Sequence, residues 1–176
     1  ATETISKDKF NEEIDFLGAN INFYESGASA NGLSRYSARI LELLADGALN
    51  PLFTQADFDA ERAKLIEGLK SDEKSASAIA ARVQNVLTFG KEHYNGEFTS
   101  EETLKNVTLQ DVINHYNTYF VPANAYLVII GDVKTKDVKK KVEQLFGADV
   151  WKTATAPNLT YNDPKDLQYS QINFVD

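Results

Sequence analysis

The chain contains no cysteine. Disulfides, thiolate zinc sites and a cysteine nucleophile are thereby excluded. The absence suits an oxidising compartment, where a stray thiol is a liability, and together with the acidity it leans towards an extracytoplasmic or periplasmic setting. Basic residues are also in short supply, 18 Lys and Arg against 26 Asp and Glu, for a net charge of −8. Binding to nucleic acid or to an anionic membrane needs clustered cations, so no nucleic-acid partner is expected. No apolar run approaches the roughly 20 residues that cross a bilayer, so membrane insertion is not expected either. The opening ATETISKDKF has no apolar stretch of the kind a signal peptide carries. There are two histidines, and neither belongs to an HxxH, HExxH or HxxEH pair. No GxSxG, GxxxxGK[ST] or GxGxxG is present, which leaves nucleophilic-hydrolase and nucleotide-binding readings without support.

What is there is ordinary for a folded domain: 176 residues, 43% hydrophobic and 25% charged, enough to bury a core. Residues 1–176 are expected to form one α+β domain. Ser6 to Gly18 predicts a helix with Ser6 as N-cap, Phe10, Ile14 and Leu17 on one face and Gly18 as the stop. NINFYESG alternates and predicts a strand. Leu33 to Leu49 places Tyr36, Ile40, Leu43, Leu44 and Ala45 in a stripe that ends at Asn50-Pro51. Asp57 to Lys70 and SASAIAARVQNVLTFG read as two further helices, the second stopped at Gly90. KEHYNGEFTSEET reads as a loop. Thr108 caps LQDVINHYNTYF, Ala125 to Ile130 (AYLVII) reads as a near-continuous apolar strand, and TKDVKKKVEQLFG reads as an amphipathic helix ending at Gly147. SQINFVD predicts one more strand, at the start of a connection to a following domain. Two or three strands are too few to carry six helices, so strands are expected to be missing at one or both ends.

Residues that could carry chemistry are isolated. His93 lies in the turn-rich loop and His115 on a helix, one turn after Asp111, a spacing that usually gives a helix-face hydrogen bond. The acids Glu12, Glu13, Asp15, Asp57, Asp59, Glu61 and Glu67 fall on predicted helices, where charged runs are usually solvated faces. No acid/base pair of carboxylates stands out. From the residues alone, this is an α+β domain with no visible active site.

Several stretches together resemble the insulinase/pitrilysin family of zinc peptidases, which includes the mitochondrial processing peptidase. FNEEIDFLGANINFYESG is similar to the family's helix-to-strand segment, with Gly18 at the turn and Asn22 and Tyr24 in the strand. LELLADGALNPLFTQADFDAERAKLIEGL is similar to the segment in which one helix leads to a second bearing Glu-Arg. LTFGKEHYNGEFTSEETLKNVTLQDVINHYNTYFVPANAYLVIIGDV keeps the FG…H, Tyr119, Pro122, Asn124 and Gly131-Asp132 in family order. The resemblance implies an antiparallel sheet flanked by helices, lacking its N-terminal part. It also implies that the metal motif HxxEH would precede Ala1-Thr2, which is similar to the Gly-Thr following that motif.

In active members the third zinc ligand is the Glu seven residues after the Glu of a Glu-Arg pair. Counted from Glu61, that position is Gly68. Seven residues make about 700° of helix, so positions 61 and 68 share a face within some 20°, whereas Glu67 lies about 100° away. Asp72 returns towards that face but about 6 Å further along the axis. The resemblance thus implies a domain with a degenerate metal site: no catalytic residue, no metal ligand, no cofactor bound by this chain, zinc in an active partner domain, and substrate-binding residues not identified. The partners it implies are a second insulinase-like half or subunit and unfolded peptides, with this chain completing a chamber. Two other readings stand beside it: a catalytic domain whose HxxEH lies upstream, with Glu67 or another acid as third ligand, and a structural scaffold subunit.

Overall fold

The computed structural model describes residues 1–152, 154, 155 and 157. In chain order these form α1 (Lys7–Leu17), β1 (Asn20–Tyr24), β2 (Gly27–Asn31), α2 (Ser37–Leu49), α3 (Gln55–Asp72), α4 (Ala76–Phe89), α5 (Glu101–Asn106), α6 (Leu109–Tyr119) and α7 (Thr135–Phe146), with 3₁₀ turns at Ser34–Tyr36 and Pro122–Asn124. The α+β reading holds: helices dominate and the sheet is an antiparallel hairpin, with Asn20 opposite Asn31 and Tyr24 opposite Gly27. Contacts divide the described residues into two compact units, one of Ala1–Phe53 with Ile113–Pro157 and one of Thr54–Val112.

The first unit holds the core. Phe10 and Leu17 of α1, Ala19, and Ile40 and Leu43 of α2 are buried together, with Ile14, Ile21, Ala30 and Tyr36 packed around them. The apolar stripe read from α2 is the face that packs, and Leu43 is fully enclosed. Gly18 ends α1 in the left-handed conformation, φ 58°, and its N–H returns to Asp15. Only glycine adopts that geometry without cost, and it turns the chain directly into β1. At Gly47 a Cβ would lie 2.2 Å from the Phe23 ring, so any larger residue there would displace that side chain.

Hydrogen bonds and ion pairs then tie the elements of this unit. Tyr116 of α6 donates its hydroxyl to the Ala48 carbonyl at 2.6 Å. Burial, with the Glu3 charge adding to it, pushes the phenol up to about 12. Arg39 of α2 meets Glu13 of α1 and Glu42 of α2, each with a 2.8 Å bond, and Lys141 of α7 closes on Glu42. Hydrogen bonds from Arg39 to Glu13, and from Lys141 and Arg39 to Glu42, hold both carboxyls below the usual range. Asp46 is pushed up by burial, but the hydroxyls of Thr2 and Thr4, each at 2.6 Å, and the Asn50 amide outweigh it and hold it low.

The second unit is built from α3, α4, α5 and the 91–100 loop, with caps at each helix start. Thr54 accepts from the Asp57 N–H, Ser75 from the Ala78 N–H, and Ser100 and Thr103 cap each other reciprocally.

Two expectations are corrected, the N-cap at Ser6 holds in position without a side-chain bond, and one strand was not anticipated. Ala125 to Ile130 is not a strand among the described residues, because no neighbouring backbone supplies a ladder, and Tyr126, Val128 and Ile130 stand 97%, 76% and 92% exposed. A strand is a property of a pair, which an apolar run cannot supply by itself. Ser6 occupies the N-cap position of α1 but makes no side-chain cap bond. Ser100 starts a short helix where a loop was expected, because the Ser100/Thr103 box satisfies the first backbone donors. GASAN pairs as β2, which its small residues did not announce. The predicted strand SQINFVD lies outside the described residues.

Candidate functional site

Glu61, Glu67, Gly68 and Asp72 lie on α3. Thr54 fixes its start, and eighteen residues follow as one unbroken helix. Glu61 and Gly68 therefore share a face, and Glu67 sits about 100° round from Gly68. No bulge shifts the register. A Cβ at Gly68 would meet nothing within 4 Å, so no neighbour demands the glycine. Glu61 is paired with Lys64 at 2.6 Å and Glu67 with Lys70 at 3.4 Å, all four side chains at least half exposed. Asp72 closes the helix in solvent.

A zinc ion needs ligands at about 2 Å, four of them in a closed site or three beside a water. Among the described residues no group of three or more His, Cys, Asp or Glu is placed to hold a metal. His93 is part of the loop that carries it: its Nδ1 accepts the Asn95 N–H at 3.1 Å, and its ring stacks on Phe89 at 5.1 Å. His115 is exposed, with its ring 4.6 Å from Tyr119. The side-chain bonds of Asp111 are at the helix start, where its Oδ2 accepts from the Thr108 N–H and hydroxyl and its carboxyl is held low by them.

The other helix-borne acids mostly serve their own helices. Asp57 accepts from Thr54 and Asp59 from Arg62, whereas Glu13 belongs to the interhelical network. Glu12 and Asp15 are exposed.

Sequence reading missed a groove on α4. Ile79, Val83, Val86 and Leu87 line it with Arg82 and with Phe98 of the following loop, around a volume of about 370 Å³. The Arg82 guanidinium lies 4.2 Å from the centre of the Phe98 ring. Its signal was present in the sequence: Arg82 is the only charged residue between Ala76 and Phe89, beside apolar residues at helical spacing.

Comparison with known proteins places these observations. The sequence profile of the peptidase M16 inactive domain matches residues 106–171. No curated protein matches the chain. A protease from Helicobacter pylori shares the fold at TM-score 0.80 and 18% identity, over 94% of this chain and 41% of that one. A peptidase M16 inactive domain from Pseudomonas fluorescens does so at 0.76 and 17%, over 94% and 42%. The periplasmic protease PqqL from Escherichia coli does so at 0.72 and 15%, over 92% and 19%. The chain therefore spans well under half the length of these proteins. Among the described residues no helix is long and apolar enough to cross a membrane.

Proposed function

We propose that this chain, which belongs to the insulinase/pitrilysin (peptidase M16) family, is a non-catalytic part of a zinc metallopeptidase. It completes a chamber with a zinc-bearing half and helps to hold an extended peptide there. The observation that carries the reading is the match to the inactive domain over residues 106–171. Gly68 supports it: α3 is intact on both sides of the position where active members carry a ligating Glu, and that position has no side chain. A glycine at that position offers no side-chain oxygen or nitrogen to a metal, while the helix remains. Zinc and the general base belong in this reading to the partner half, so no chemical step is assigned to this chain. An extracytoplasmic location belongs to the same reading, drawn from the missing cysteines and from the periplasmic setting of one protein of the same fold.

Elemental analysis of the native polypeptide that carries this chain is the test, after exhaustive buffer exchange and again after incubation with excess zinc. The expected result is no stoichiometric metal, no peptidase activity from that polypeptide alone, and activity on reconstitution with a zinc-bearing half. One retained zinc per polypeptide, lost in Glu67→Ala, would replace this reading with that of a catalytic domain.

A further inference from the structure

The groove on α4 has the composition of a binding site. Its floor is aliphatic, and Ile79 and Val83 remain 45% and 38% exposed, so covering them removes apolar surface from water. Its one charge is Arg82, and no ion pair among the described residues uses that guanidinium. The carboxylate of Glu101, at the start of the helix that follows Phe98, is already taken by Lys105 at 2.8 Å. Glu97, the residue before Phe98, is exposed. The groove therefore sets an apolar floor beside a cation that has no carboxylate partner among the described residues.

We propose that this groove binds the carboxyl-terminal end of a peptide whose last residue is apolar. The guanidinium carbon lies 4.2 Å over the centre of the Phe98 ring, and a guanidinium held beside an apolar floor can meet a carboxylate in a two-pronged bond. A side chain beside that carboxylate would lie on Ile79, Val83, Val86 and Leu87. About 370 Å³ is near the lower end of ligand-site volumes, sufficient for one or two side chains and too small for a folded element. The exposed floor suits a short chain end better than a long acyl chain, which needs an enclosed channel. The inference rests on the peptide-holding part of the function proposed above and gives it a location and an end-group preference.

The test uses the 176-residue chain and fluorescence anisotropy of a labelled peptide ending in Phe-Leu, as free acid and as amide. Loss of a charge-assisted bond on a partly exposed arginine predicts about tenfold weaker binding for the amide, and the same for the free acid with Arg82→Gln. The amide should be indifferent to Arg82→Gln, the advantage of the free acid should shrink with added salt, and Phe98→Ala should weaken both forms. Equal binding of acid and amide, or of the acid to wild type and Arg82→Gln, overturns the groove assignment and leaves peptide holding intact. Failure of every peptide to bind overturns both. Displacement of the peptide by decanoate at matching concentration overturns the assignment to a peptide end.

Discussion

Gly68 shows how one residue separates local from functional constraint. A glycine inside a helix costs about 1 kcal/mol against alanine, because the unfolded chain is freer and no side chain covers the backbone. Nothing lies within 4 Å of the Cβ it lacks. Gly68→Ala is therefore expected to stabilise the chain by about 0.5–1 kcal/mol, read as a higher urea midpoint at unchanged slope. An unchanged or lower midpoint would mean that α3 does not run through position 68 as a regular helix. The sequence alone gave the position and its angular relation to Glu61, because helical geometry is local. It could not show that Glu61 and Glu67 are each held by a lysine three residues on, since many pairings are open to an exposed carboxylate.

At the level of elements, the Glu13–Arg39–Glu42–Lys141 network joins α1, α2 and α7. All four side chains are partly exposed, so solvent screens the pairs, and Arg39→Ala should cost only about 1 kcal/mol near neutral pH. The pH dependence follows from the carboxyls. Glu13 and Glu42 are held below their unfolded values in the fold, so they bind protons more readily when unfolded. Their contribution is complete above about pH 5, beyond the unfolded range near 4.3, and is lost as pH falls through the lowered folded values. The gap between wild type and Arg39→Ala in denaturant midpoint should accordingly be largest above pH 5 and narrow towards pH 2.5. A gap independent of pH would assign the effect of Arg39 to packing of its stem. Helix positions were legible here from apolar spacing and caps, whereas the partners of Glu13 and Glu42 lie 26 and 99 residues away in sequence and were not.

For the molecule as a whole, the segment from Ala125 to Ile130 is the main exposed apolar feature of the described chain. It has no charge, and Tyr126, Val128 and Ile130 face water almost entirely. Apolar backbone with no partner among the described residues can template pairing with another chain. Light scattering behind size exclusion should show concentration-dependent association of the 176-residue chain, reduced in Val128→Lys. A monomer at every concentration would show that this segment does not promote association.

The sequence by itself determined where most helices begin and end, the face that α1 and α2 bury, the turn at Gly18 and the missing side chain at position 68. These depend on 3.6-residue periodicity, capping chemistry and left-handed glycine, all set within a few residues. Tertiary structure alone decided that Ala125 to Ile130 has no strand partner among the described residues, that GASAN has one, which charges meet across helices, and that Arg82 lies on Phe98 beside an apolar groove. Those outcomes depend on which distant segments come together, and the free energy that selects them comes from pairing and burial, which no short stretch of chain contains.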